Sequence, residues 1–426
     1  MIDKKVPLDE VIYPESVKKY STNQTPQKQS DLIKTLAYLT SSIVLSLLRK
    51  GYKIEKVNME NLEPPYILLI NHLQPLDFFT MFKATYPHRL NTVAALNTYY
   101  KVSFAMEKLG CIPTRKFTTD INLVRACKKV LKEYGDVFCM YPEARYTPDG
   151  TLSVLPDSLG KLVKKNKVPV VVMLNLGGHL NLPFWTNKIF RKTPIKIQLK
   201  QILTVEQVAE LSAEEINDII HKEMYYDEYR WQMENNIYIK EKRRAEGLHK
   251  ILYQCPHCMT ESKMNSKGIH LFCEECGKKW EMTELGQMRA LDGETEFSHI
   301  PDWFAWEREN VRKQILNGNY FYEDEVHIYS TPGVDQYVDL GAGKVTHSLE
   351  NGFVIEFSYN DNDYRIVRAP QNMYSVQTEY DFQFLDKKDC FNVTTNNDCF
   401  FCIPTKKDVI TKIMLATEEM FKIINK

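Results

Sequence analysis

His72 and Asp77 are the residues whose types and spacing are best suited to chemistry. They bracket Leu73-Gln-Pro-Leu76 and follow the apolar run 66–70. A buried strand that ends on a histidine presents an imidazole at the rim of a sheet, where a general base can reach substrate. A carboxylate close by can hold that imidazole in one tautomer and raise its basicity. Taken alone, the pair also suits a surface histidine beside a helix N-cap aspartate. A second cluster has metal-ligand spacing: Cys255-x2-Cys258 and Cys273-x2-Cys276, followed by Gly277. Two such knuckles imply a tetrathiolate structural zinc, which stands in for the core that a segment this short cannot build.

The elements around His72 follow a readable order. Strand candidates at 67–71, 92–96, 137–141, 168–174 and 195–199 alternate with helical patterns at 77–85, 99–109 and 121–134. Such alternation argues for an α/β domain with a largely parallel sheet. Residues 204–224 read as helical, with Thr204 and Ser212 as caps. Three more segments sit at element ends, where α/β folds build their sites: Gly110-Cys-Ile-Pro-Thr-Arg115, Tyr141-Pro-Glu-Ala-Arg145, and the apolar run 168–173.

With His72 and Asp77, these blocks resemble the glycerolipid acyltransferase superfamily, the lysophosphatidic-acid-acyltransferase-like group, over about residues 65–175. The resemblance implies that His72 is the general base for an acceptor hydroxyl and that Asp77 orients it. It implies that Arg115 binds an acceptor phosphate, that Glu143 positions the acceptor, and that Gly110 and Pro142 shape the loops. Arg145 falls one place early for the third block, whose usual glycine is Ala144 here, so a structural ion pair at Glu143 and Arg145 is the competing reading. Gln74-Pro75 also departs from the small polar residues usual in the first block. The implied reaction moves a fatty acyl group from acyl-CoA or acyl carrier protein to a lysophospholipid, with 1-acylglycerol 3-phosphate the first acceptor to consider. A non-catalytic lipid-binding or scaffold protein on the same fold is the alternative.

The remaining chain divides by pattern. Residues 1–50 form an N-terminal segment whose first thirty residues read as extended or loosely packed. Within it an amphipathic helix spans 31–49, with Asp31 as N-cap and Arg49, Lys50 and Gly51 at its end. That helix suits core packing or an in-plane membrane anchor, and the resemblance favours a membrane surface as partner. The acyltransferase domain is expected over 51–250, a zinc ribbon over 251–283 and linker helices over 284–322. Trp303 and Trp306 read as packing residues. A mostly-β domain closed by a helix, pleckstrin-homology-like by fold analogy, is expected over 323–426. The ribbon reads as a clip between its two neighbours. Fifty-five basic residues balance 55 acidic ones, so no nucleic-acid partner is expected. The N-terminus lacks a signal-peptide pattern, and six cysteines are scattered without a disulfide framework. A cytoplasmic protein, peripheral or monotopic on the cytoplasmic membrane face, is the expectation.

Overall fold

The computed structural model describes residues 11–17, 19, 21–48, 51–118, 120–186, 190–332 and 337–425. A seven-stranded sheet carries the first half of the chain. Its order is Tyr52–Val57, Ile195–Leu203, Val170–Leu176, Ile67–Ile70, Val137–Met140, Leu90–Ala95, Ile112–Thr114. Neighbours run parallel except Val170–Leu176 against Ile195–Leu203. That exception has a local cause. A parallel return needs a long crossover, and the connection here contains only the short helix Gly178–Asn181 among the described residues.

All four residues of Ile67–Ile70 are buried, as in a strand covered on both faces. Alternation divides them between two cores. Ile67 and Leu69 join Val170 and Val172 on one face, while Leu68 and Ile70 join Val171 and Met173 on the other. Ile67–Ile70 and Val137–Met140 are parallel neighbours, so the loops after them meet at one rim. That meeting brings His72 to the loop that follows Val137–Met140.

The helix Asp77–Thr85 forms as its spacing predicts. The 99–109 pattern is two short helices, Leu96–Lys101 and Ser103–Lys108, broken at Val102. The 121–134 pattern is an α-helix, Ile121–Lys129, that widens into one π turn, Val130–Tyr134. Thr204 and Ser212 cap Val205–Glu210 and Ala213–Met224, each through a reciprocal capping box with Gln207 or Glu215.

The helix Asp31–Leu48 packs on Asp77–Thr85. Its buried residues are Ala37, Ser41 and Leu45, whereas Leu32, Leu36, Leu39, Ile43 and Leu47 are exposed. Small side chains make the internal seam, and the larger apolar stripe faces outward. Residues 1–10 and the helix end read at Arg49 and Lys50 lie outside the described residues. The described residues of the preceding segment form no helix or strand, and they are tied down rather than loosely packed. Tyr13 bonds Ser330 and Asp398, Gln24 bonds Tyr99 and Tyr100, and Gln29 donates to the Leu109 carbonyl.

The paired cysteines sit on a four-stranded antiparallel sheet, Met264–Lys267, His270–Cys273, Lys279–Met282 and Met288–Ala290. The sheet thus runs past residue 283 into the segment read as linker helices. A single helix, Ile300–Leu316, follows, with proline in its first turn. The C-terminal unit is a seven-stranded antiparallel sheet closed by the helix Ile410–Ile424. Strand Tyr322–Ser330 alternates buried and more exposed positions along its length, as a sheet with one covered face requires. Trp303 is fully buried 5.0 Å from Trp280, and one continuous core joins the cysteine-bearing sheet, Ile300–Leu316 and the C-terminal unit.

Candidate active site

The His72 imidazole lies between two tyrosine rings, 4.4 Å from Tyr141 and 4.3 Å from Tyr146. Its Nδ1 faces Asp77 Oδ2 at 3.5 Å. That contact is long for a hydrogen bond, and catalytic pairs of this kind commonly tighten when substrate binds. The carboxylate is itself aimed. Oδ2 accepts from the backbone N–H of Leu73 at 2.6 Å and of Gln74 at 2.9 Å. Asp77 also opens its helix, where the positive end of the dipole favours a negative charge. With Nδ1 turned to Asp77, Nε2 is the nitrogen left for substrate. Burial holds the imidazole below its ordinary 6.5, and Asp77 opposes that shift. The group is therefore neutral, and able to take a proton, at pH 7.

Glu143 braces the histidine from behind. It is buried and accepts from the His72 N–H at 2.9 Å, the Ser153 N–H at 2.9 Å and the Tyr226 hydroxyl at 3.1 Å. Burial pushes its carboxyl up to about 7, although those bonds resist the change. Thr147 N–H donates to the His72 carbonyl at 3.0 Å, which closes the loop over the base. Ala144, where the family pattern carries glycine, sits at φ 55, a left-handed conformation that costs a side-chain-bearing residue about 1–2 kcal/mol. Gly110 has φ +74, and a Cβ there would lie 2.8 Å from Asn91 Nδ2, so glycine is required on both counts.

A cavity of about 1040 Å³ opens beside His72, at the upper end of ligand-site volumes. Phe78, Phe79, Val93, Met106, Leu123 and Leu162 supply apolar wall, and Arg115, Lys116 and Pro142 also line it. Of the residues singled out from sequence, His72, Arg115 and Pro142 thus share one cavity. Asp77 and Glu143 stand behind His72, and Gly110 shapes the turn before Ile112–Thr114. Arg145 does not line this cavity. Its guanidinium is buried against Glu418 Oε1 at 2.5 Å, Ser375 Oγ at 2.9 Å and the Val376 carbonyl at 3.3 Å. Arg115 also reaches the C-terminal unit, donating to the Asn397 carbonyl at 2.8 Å.

Two residues at this site escaped sequence reasoning. Lys116 lines the cavity and donates to Gln377 Oε1 at 3.1 Å. Its only sequence signal was adjacency to Arg115. Tyr146 forms one side of the histidine's slot, and its signal was adjacency to Arg145. The C-terminal partners carried none, because Asn397 and Glu418 lie more than 250 positions from the residues they hold.

The four cysteines converge away from this cavity. Their sulfurs all lie within 4.8 Å of one another, with Cys255–Cys276 at 3.8 Å and Cys258–Cys273 at 3.7 Å. Zn–S bonds of about 2.3 Å in a tetrahedron place sulfurs about 3.8 Å apart, whereas a disulfide needs about 2.05 Å. This donor set could hold a metal ion and fits zinc.

A histidine oriented by a carboxylate on an α/β rim, beside a large and mostly apolar cavity, is an arrangement that could accept a proton from a bound hydroxyl. Residues 53–174 match the acyltransferase family. The crystal structure of 1-acyl-sn-glycerophosphate acyltransferase, PlsC, from Thermotoga maritima is similar at 15% identity and a TM-score of 0.39, over 45% of this chain and 76% of that one. No curated protein matches the chain. Among the described residues, no helix is long and apolar enough to cross a membrane.

Proposed function

We propose that this protein is a membrane-associated lysophospholipid acyltransferase of phospholipid biosynthesis, working by a His72/Asp77 general-base mechanism. The observation that carries the proposal is His72, with its Nδ1 facing an Asp77 carboxylate held by two backbone N–H groups, on the wall of the 1040 Å³ cavity. The acceptor hydroxyl gives its proton to Nε2 as its oxygen attacks the thioester carbonyl of acyl-CoA or an acyl carrier protein. The tetrahedral intermediate collapses with loss of the C–S bond. The imidazolium returns the proton to the leaving thiolate, so an ester and a free thiol are formed. Holding hydroxyl and thioester together supplies much of the rate, and the base adds roughly 10²–10⁴-fold. In this reading Arg115 and Lys116 face the acceptor phosphate, while Glu143 and Arg145 position the loop that holds His72.

The outward stripe of Leu32, Leu36, Leu39, Ile43 and Leu47 supports contact with a membrane, with the helix lying in the interface. The helix packs on Asp77–Thr85, whose Phe78 and Phe79 line the cavity, so the stripe and the substrate cavity share a support. Zinc in the four-cysteine site would order the sheet that bears Trp280 and so brace Trp303. The test is acyl transfer by the metal-loaded protein on vesicles. Acyl-CoA and acyl carrier protein serve as donors, with 1-acylglycerol 3-phosphate and other lysophospholipids as acceptors. Product from wild type and none from folded His72→Ala supports the proposal; equal turnover by both overturns it.

A further inference from the structure

The C-terminal unit does more than stand beside the acyltransferase domain, since Arg368, Gln371, Asn372, Tyr374, Asn396 and Phe421 line the same cavity as His72. Arg368 ends the strand Asn362–Arg368, and the short turn Pro370–Asn372 follows it. Gln371, Asn372 and Asn396 are exposed, while Tyr374 and Phe421 are half-buried. Tyr374 packs at 5.3 Å from Phe117 and 6.3 Å from Phe421, which closes the seam between the two units with aromatic rings. Two ties cross the seam at the cavity itself, Arg115 to Asn397 and Lys116 to Gln377.

The chemistry of the two contributions differs. The acyltransferase domain supplies most of the apolar wall, whereas four of these six C-terminal residues end in an amide or a guanidinium. Amide side chains both donate and accept, so they match hydroxyl and amide groups. A guanidinium matches phosphate. An amphiphile bound here would place its chain against the apolar wall and its polar end against this set.

We propose that the C-terminal unit is a substrate-recognition wall of the active site, in which Arg368, Gln371 and Asn372 hold the phosphate-bearing, hydroxyl- or amide-rich polar end of a substrate. This rests on the acyltransferase reading above. Two sources share that chemistry: the headgroup of the lysophospholipid acceptor and the phosphopantetheine portion of the acyl donor.

The experiment uses the full metal-loaded chain, as wild type, Gln371→Ala/Asn372→Ala, Arg368→Gln and the control Arg365→Ala. Arg365 sits on the exposed surface of the same unit, paired with Glu356. Initial rates are measured with acceptor varied at saturating donor, then with donor varied at saturating acceptor. Binding of coenzyme A and of 1-acylglycerol 3-phosphate is measured separately by calorimetry. Loss of two hydrogen bonds in the double variant predicts a rise of about tenfold in one KM and the matching Kd, with kcat nearly unchanged. A rise confined to the acceptor assigns the wall to the headgroup, and one confined to the donor assigns it to the carrier. Values within about twofold of wild type for both substrates, well below what two hydrogen bonds contribute, overturn the inference. If wild type transfers no acyl group, the acyltransferase reading fails, and the two calorimetric titrations still decide whether this wall binds either molecule.

Discussion

Substituting Glu418 by glutamine tests whether the C-terminal unit sets the geometry of His72. Glu418 is fully buried and accepts from Arg145 at 2.5 Å, Arg308 at 2.6 Å and Ser375 Oγ at 2.7 Å. Burial pushes its carboxyl up, but Arg145 and Arg308 pull it further down, to about 2 from an ordinary 4.5. A lowered acid contributes stability that is complete above pH 4.5 and is lost as pH falls through about 2. The gap corresponds to ~3 kcal/mol. Truncating one partner of a buried pair gives a similar figure, about 3–5 kcal/mol, because the other charge is left stranded. Glu418→Gln should therefore lose about 3 kcal/mol in the urea transition followed through the tryptophans of the shared core, and Arg145→Met/Glu418→Met should recover much of it. Arg308 keeps Glu419 as a partner in that double variant. The loss should reach the active site as well. Arg145 is flanked by Ala144 and by Tyr146, whose ring packs on His72, so kcat should fall more than KM rises. A loss below about 1 kcal/mol, or a double variant no more stable than the single one, would refute the reasoning.

Three further outcomes follow from the same geometry. His72 is held below 6.5 and must be neutral to act, so kcat/KM should rise with pH through a midpoint below 6.5; Asp77→Asn removes the opposing charge, moves that limb lower still and costs on the order of 10²-fold in rate. Chelation of the four-cysteine site, or Cys258→Ser, should change the emission of Trp280 and Trp303, whereas unchanged emission after metal removal would mean that the sheet stands without its ion. Leu36→Ser/Ile43→Ser should weaken vesicle binding by ~2 kcal/mol, roughly 30-fold, with melting unaltered; undiminished flotation with vesicles would remove the stripe from the membrane account.

Local patterns carried a large part of this structure. The buried run 67–70, the helix at 77–85, the capping boxes at Thr204 and Ser212, and the paired cysteines were all legible because each is specified by neighbours within a turn or a strand. The outward face of Asp31–Leu48 was not. A helical wheel separates polar from apolar residues, but only packing reveals that Ala37, Ser41 and Leu45 make the inner seam. The arginines show the same limit. Arg115 and Arg145 sit in blocks that resemble substrate-binding motifs, and both are engaged by residues of a unit those motifs do not include. Long-range partners of this kind leave no trace in spacing. His72, Asp77 and Glu143, which meet at one rim of the sheet, stood out in the sequence, and the C-terminal residues that line the same cavity did not.

The proposed function stands on His72 taking the proton from an acceptor hydroxyl. Its most direct test is single-turnover acyl transfer on vesicles by wild type and by His72→Ala, each shown to be folded and metal-loaded. The expected result is product from wild type and a fall of at least about 10²-fold in the variant, with lipid binding retained. Transfer at the wild-type rate by His72→Ala would contradict it.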